Sequence, residues 1–346
     1  MSHEELITHL QSKRRDIAAD QPVAIEIFKP EDALGVSLAY YEIYGESFPV
    51  GHVYDPEEVV RRNATENQYT VVARTPKGEI VGLAGLFRHA PNKDVYEAGQ
   101  LMVLKSYRSG EVAKKISSLL LDELPLQHNI GVIFAEAVCN HPVSQQLAYM
   151  KGLLPTGLAL ECMPADVYAS EGNASRNVSL LLMFAVKNDV NHTVYLPEIY
   201  QRFIVDLYKT VGLQRTYAAG RNLTEKTKLN EFFLPDAKLI RLTIEKAGID
   251  FSSVIDGIEN RVGQETLIQT YLNLGDKAAP EAIKLLCKKG YIFGGLLPLW
   301  FGSDGIIMQK LIREPAWEKI RLRHKESKKM LNYLRNDYDC LMSETI

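Results

Sequence analysis

The sequence predicts an α/β protein, a mixed sheet flanked by helices over residues 22–190, followed by a second, smaller α/β domain over 236–346. Three observations predict it. Between Tyr96 and Gly152 the apolar residues change from strand-like runs to helical spacing and back, in the order strand, turn, helix, strand, turn, helix. Strands and helices around that stretch extend the pattern to Val186. Further on, Lys151-Gly152 and Gly157-Leu158 recur at the same spacing as Lys289-Gly290 and Gly295-Leu296, with a strand and a short helix before each and a strand after. The C-terminal part therefore reads as a degenerate second copy of the first fold. Residues 1–21 read as an N-terminal helix and 191–235 as a helix and linker.

Composition narrows the function. The chain has 346 residues, 46% of them apolar, enough for more than one core. A net charge of -3 gives no reason to expect nucleic acid or an anionic membrane as partner. Four widely spaced cysteines form no CxxC and no Cys/His cluster, which points to reduced thiols, no metal and a cytoplasmic protein. The charged start lacks the apolar core of a signal peptide, and no run of about 18 apolar residues suggests a membrane span.

In chain order, Leu6, Ile7, Leu10 and Ile17 mark an amphipathic helix over residues 4–19. Val23 to Phe28 alternates as a strand, and Pro30-Glu31-Asp32 opens a helix to Tyr44. A loop from Gly45 to Tyr54 precedes a helix begun by Asp55-Pro56. Two strands, 69–74 and 80–88, flank the turn Thr75-Pro76-Lys77-Gly78. Glu97 to Val103 is a strand, Tyr107 to Gly110 breaks it, and Val112, Ile116, Leu119 and Leu120 set the following helix. Val132 to Val138 is the next strand, and Ser144 to Lys151 a short helix stopped by Gly152. Strands at 158–163 and 178–186 close the first domain. Glu198 to Val211 is a helix ended by Gly212, and Arg215 to Lys228 reads as linker. Strands and helices then alternate to a C-terminal helix over 326–341.

The turn after Val103 has the makings of an anion site. The first N–H groups of a helix have no internal partner, and the helix dipole favours negative charge there. Arg108 adds a positive charge, and Ser109 and Gly110 let a diphosphate approach the backbone. At these residues the chain resembles the GNAT-type acyl-CoA N-acyltransferases over roughly residues 22–187. MVLKSYRSGEVAKKI is similar to that family's acyl-CoA signature, with Arg108 and Ala113 on its first and last positions. Asn140 to Gly152 is similar to its second motif. Glu97 stands where some members carry a general base. The chain departs from the pattern at Glu111, where the family has Gly, and at Ala148, where many members have a general-acid Tyr and this chain has Tyr149 one step later.

The resemblance implies a GNAT-like mixed, centrally splayed sheet with acetyl-CoA as acyl donor between the splayed strands, where open α/β sheets bind ligands. It implies a small-molecule amine as acceptor, and a homodimer is expected. Glu97 would be the base and Tyr149 the acid. Backbone groups of Met102 and Val103 would hold the carrier's arm and polarise its carbonyl. Arg108, Ser109, Gly110, Glu111, Val112 and Ala113 would meet its diphosphate, and Asn140 and Ser144 its arm. Phe48, His52 and Tyr54 are candidate acceptor contacts. Each has a structural alternative: a salt-bridged strand residue for Glu97, helix capping for Asn140 and Ser144, aromatic plugs for the loop. The corresponding alternative function is a non-catalytic acyl-CoA-binding or partner-binding regulatory module.

Overall fold

The computed structural model describes residues 2–46, 48, 50–108, 111–164, 177–235 and 237–344, and divides the chain into two compact units. Unit 1 comprises Met1–His89 and Tyr96–Ile133, and unit 2 Ala90–Val95 and Phe134–Ile346. The division falls within a strand near residue 133.

Unit 1 opens with α1 (His3–Lys13), capped by Ser2 and Glu5 acting reciprocally. It ends earlier than the periodicity suggests, so Ile17 lies outside it. Then come β1 (Ala24–Ile27), α2 (Ala33–Tyr44), α3 (Pro56–Asn63), β2 (Gln68–Arg74), β3 (Ile80–Phe87) and β4 (Val95–Val103), with the strands antiparallel in sequence order. Helices α1, α2 and α3 cover one face, where Leu10, Val36, Tyr40, Val72, Ile80, Leu83 and Met102 share a core. On the other, α4 (Val112–Ser118) sets Ile116 against Gly82 of β3. α4 widens into a π-turn at Leu119–Glu123 and resumes as α5 (Leu124–Gln127). Pro125 has no N–H to donate and its ring would strike the carbonyl four residues back, so the chain takes the wider turn there.

Strand β5 (Val132–Val138) leads into unit 2, which continues through α6 (Val143–Met150), β6 (Leu154–Met163) and β7 (Val178–Val186). Short β8 (Thr193–Val194) and β9 (Thr216–Tyr217) flank α7 (Glu198–Val211), followed by β10 (Lys228–Leu234), β11 (Leu239–Lys246), α8 (Phe251–Val262), β12 (Leu267–Asn273), α9 (Ala279–Lys288), β13 (Ile292–Leu297), β14 (Gly305–Lys310) and α10 (Lys325–Glu344). The sheet order is β5-β7-β6-β13-β14-β12-β11-β10. Its middle reads the same from either end, because β5-α6-β6-β7 and β12-α9-β13-β14 have one topology. The two runs meet where Gly157 of β6 pairs with Gly295 of β13. A Cβ on Gly157 would lie 2.5 Å from the Gly295 Cα, so these backbones touch only because neither residue has a side chain. The repeated Lys-Gly of the sequence ends α6 and α9, with Gly152 and Gly290 at φ 81 and 87.

Two features of unit 2 depart from the expectation of a linker after Gly212. β10 lies inside that stretch. Arg215, its side chain wholly buried, bonds Asp304 at 2.5 Å and Asp189 at 2.9 Å. Asp304, which reads in sequence as turn chemistry, also accepts from the Tyr208 hydroxyl at 2.7 Å and the Leu299 N–H at 2.8 Å. Leu299 and Trp300 in turn hold Asn92, whose side chain donates to the Leu299 carbonyl at 2.8 Å.

Candidate active site

Strand β4 carries a bulge. Gly99 faces Gly85 and Met102 faces Leu83, so Gln100 and Leu101 together oppose Ala84. Gln100 takes φ 59, a conformation rare for a side-chain-bearing residue, and its amide oxygen accepts from the buried Tyr40 hydroxyl of α2. Glu97 shares the α1–α3 face with Gly99, and a Cβ on Gly99 would lie 3.0 Å from Glu97 Oε1. Glu97 Oε2 lies 3.3 Å from His89 Nε2, and the His89 ring stacks on Phe87, the residue opposite Glu97. The glycine is what leaves room for the carboxylate to lie along the strand.

Past the bulge, Leu104 donates to the Val81 carbonyl at 2.8 Å. Antiparallel ladders alternate, so Met102 also spends its backbone groups on β3, and its side chain is buried. That corrects the expectation for Met102, which belongs to the ladder and the core. Val103 turns the other way, and its carbonyl accepts from Arg108 Nε at 2.9 Å. The rest of the Arg108 side chain is exposed and forms no ion pair with a carboxylate among the described residues.

Ser109 and Gly110 lie outside the described residues. Beyond them Glu111 is the N-cap of α4 but makes no side-chain cap, so no side chain of Glu111 covers the N–H groups of Val112 and Ala113. Its carboxylate turns outward to Lys114 Nζ at 3.0 Å, which lowers its pKa from the ordinary glutamate value. The acid that replaces glycine in the signature is thus folded onto its own helix and paired with a cation.

In the loop before α3 the three expected acceptor residues divide. Tyr54 is fully buried, its ring meets His3 edge-on, and its hydroxyl oxygen accepts from the Phe48 N–H at 3.0 Å. It therefore shapes the loop from within the core. Phe48 packs on Tyr40 and Tyr44, both with centroids 4.9 Å away. His52 is half-buried. Burial and the neighbouring Arg62 pull its pKa down to about 4, so it is neutral at pH 7.

In unit 2, α6 begins at Val143 with Pro142 as N-cap and no side-chain cap, so neither Asn140 nor Ser144 caps it. Asn140 Oδ1 and Ser144 Oγ are instead buried with no hydrogen-bond partner among the described residues. Ala148 is buried, and the Tyr149 ring stacks on His324, centroids 3.8 Å apart and 11° from parallel. Glu136 and Glu161 face Arg241 and Arg313, each at 3.7 Å.

The turn before α8 is closed by its own chain. Ile249 donates to the Glu225 carbonyl at 2.7 Å, Gly248 to Thr227 Oγ1 at 3.1 Å and Ala247 to Asp276 Oδ2 at 3.0 Å. A Cβ on Gly248 would lie 2.3 Å from the Glu225 oxygen, which leaves no space for a phosphate.

Sequence reasoning missed His89, Gln100 and the contact of Tyr40 with the Gln100 bulge. The Gly85–Gly99 pairing was the available signal, because facing glycines open a place on a sheet surface. Among the described residues no group of three or more His, Cys, Asp or Glu side chains could hold a metal, and no helix is long and apolar enough to cross a membrane.

No protein-family model and no curated protein sequence matches the chain. Among solved structures it is similar to a ribosomal-protein-S5-alanine acetyltransferase from Vibrio fischeri, at 13% identity and TM-score 0.40 over 50% of this chain and 98% of that one. It is likewise similar to a spermidine N-acetyltransferase from Vibrio cholerae, at 12% identity and TM-score 0.38 over 48% and 94%, and to an N-acetyltransferase from Staphylococcus aureus, at 16% identity and TM-score 0.39 over 49% and 100%.

Proposed function

We propose that the chain is an N-acyltransferase that moves an acetyl or other short acyl group from acyl-CoA to the amine of a small molecule. The observation that carries the reading is the run along β4 into α4. A carboxylate lies on an opened sheet face, a bulge follows, and then come an exposed arginine and a helix start that no side chain caps among the described residues, with its nearby acid turned away. Of these, the carboxylate, the arginine and the helix start are the parts that the sequence resemblance calls for, in that order.

In this reading Glu97 takes the proton from the acceptor ammonium, directly or through a water, with His89 beside it. The freed amine nitrogen attacks the thioester carbon. The Val103 N–H, which faces away from β3, donates to the oxygen as it gains charge. The C–N bond forms, the nitrogen gives up its second surplus proton to water, the C–S bond breaks, and the departing thiolate takes a proton. The sequence assigns that last donor to Tyr149. Arg108 and the N–H groups of Val112 and Ala113 hold the diphosphate. The sequence resemblance proposes Asn140 and Ser144 for the carrier's arm, and their oxygens are buried without partners among the described residues. His52, neutral at pH 7, accepts a hydrogen bond from the amine. The sealed turn before α8 makes the C-terminal copy a non-binding one.

The test is release of free thiol from acetyl-CoA against a panel of amines. Glu97→Gln should lower turnover by about 10²–10⁴ while the donor's affinity stays near that of the unaltered chain. An unchanged rate removes Glu97 from the role. A second reading, a module that binds an acyl carrier without catalysis, is favoured by Ala148 at the general-acid position. Tight donor binding with no turnover on any amine would select it.

A further inference from the structure

The buried charge network of unit 2 includes one group whose proton decides its partner. His192 lies between β7 and β8, with its side chain 16% exposed, and faces the fully buried Asp304 just ahead of β14. Its Nδ1 is 2.7 Å from the Val190 carbonyl, which only accepts, so Nδ1 carries a proton. Its Nε2 is 3.1 Å from the backbone nitrogen of Asp304, which only donates. The same Nε2 is 3.4 Å from Asp304 Oδ2, which only accepts when ionised. One nitrogen therefore faces a donor and an acceptor of a single residue. Without a proton it accepts from the Asp304 amide. With a proton it releases that amide and donates to the carboxylate.

The surrounding groups set the balance. Arg215 bonds Asp304 Oδ2 through Nε at 2.5 Å and reaches Asp189 at 2.9 Å. The Tyr208 hydroxyl of α7 donates to the same Oδ2 at 2.7 Å, and the Tyr217 ring of β9 lies 6.4 Å beyond the Tyr208 ring. Burial pulls the His192 pKa down and the Arg215 charge opposes a proton, but the Asp304 carboxylate outweighs both and raises it above the ordinary histidine value. Backbone bonds connect the pair to the sheets on either side. The His192 carbonyl accepts from the Thr216 N–H, at the start of β9, at 3.0 Å, and β8 follows His192 directly. The Asp304 carbonyl accepts from the Leu274 N–H, just after β12, at 2.8 Å.

We propose that His192 is a proton-operated latch between the β8–β9 pair and the turn ahead of β14. Deprotonated, it holds that turn through the Asp304 amide. Protonated, it lets the amide go and holds the same turn through the Asp304 carboxylate, so the attachment passes from backbone to side chain. The folded pKa lies above the unfolded value of about 6.5, so the charged pair stabilises unit 2 below about pH 6.5, and that contribution is lost as pH rises through the folded pKa. His52 in unit 1 runs the other way. The latch does not depend on acyl transfer, and its test needs no acyl donor.

The test is a pH titration of the isotope-labelled full chain by nuclear magnetic resonance, followed at the imidazole nitrogens. His192 is picked out from the eight histidines as the signal lost in His192→Gln. At about pH 9 its Nδ1 should be protonated and its Nε2 bare, and Nε2 should gain a proton in one step centred above about pH 6.5. Hydrogen exchange at the Asp304 amide, corrected for the intrinsic effect of pH, should be about tenfold faster at about pH 5.5 than at about pH 9, since the amide has lost its acceptor. The Leu299 N–H bonds Asp304 Oδ1 at 2.8 Å in either state and should change little. In His192→Gln, whose side chain does not titrate in this range, the pH dependence at Asp304 should vanish. The tautomer and the two exchange rates are read on the unaltered chain, so a variant that fails to fold leaves the test intact. A proton on Nε2 at about pH 9, exchange at Asp304 that ignores pH, or an equal change at Leu299 would each overturn the latch.

Discussion

Asp304→Asn should damage unit 2 out of proportion to the change of one atom. Arg215 is wholly buried and has two carboxylate partners, Asp304 at 2.5 Å and the partly exposed Asp189 at 2.9 Å. The Asp304 oxygens also take the Tyr208 hydroxyl and the Leu299 N–H. Burial alone would raise the Asp304 pKa, but His192 and Arg215 outweigh it and hold the carboxyl below the usual aspartate value. Asparagine offers one carbonyl oxygen and turns an NH₂ toward groups that are themselves donors. The guanidinium then stays buried with one carboxylate partner, a loss that costs about 3–5 kcal/mol. At about 2–4 °C per kcal/mol for a unit of this size, the melting temperature should fall by roughly 6–20 °C. Differential scanning calorimetry with urea unfolding at pH 7 measures both quantities. A loss below about 1 kcal/mol would refute the reasoning that Asp304 anchors this network.

Gly157→Ala should cost about 2–4 kcal/mol in urea unfolding, because its Cβ meets the Gly295 backbone, which cannot swing aside. Gly51→Ala, with nothing within 4 Å and an ordinary backbone, should cost under about 0.5 kcal/mol, and equal losses would contradict the close approach of β6 and β13. Acid should weaken unit 1 through His52. Its folded pKa, about 4, is below the unfolded value, so stability present above about pH 6.5 is lost as pH falls toward 4. Discounted for partial exposure the loss is about 1–2 kcal/mol, and His52→Gln should flatten that limb of the stability–pH curve.

Much of the fold was legible because its signals are local. Pro30-Glu31-Asp32, Gly152, Gly212 and Gly290 punctuate helices by mechanisms that need no tertiary context. The sequence repeat puts Gly157 and Gly295, the two glycines where β6 and β13 touch, at matching positions after Lys151-Gly152 and Lys289-Gly290. What stayed hidden depends on distant residues. Arg215 looked like part of a polar linker because its partners, Asp189 and Asp304, are 26 and 89 positions away. β10 is exposed along most of its length, so its residues show little of the alternation that marks a half-buried strand. The bulge at Gln100 carries no glycine at the strained position and is held by Tyr40 from another helix. At the candidate site, residue types were readable and their environments were not. Sequence placed Glu97 and Arg108 but could not tell that Glu111 turns to Lys114, that Tyr54 is sealed in the core, or that Asn140 and Ser144 leave α6 uncapped.

The account stands on the opening of α4 as a place for a diphosphate, and calorimetric titration with acetyl-CoA tests that most directly. It predicts saturable heat at or below about millimolar ligand, weakened about 5–30-fold by Arg108→Gln. No heat up to that concentration, or the same affinity without the guanidinium, would contradict it.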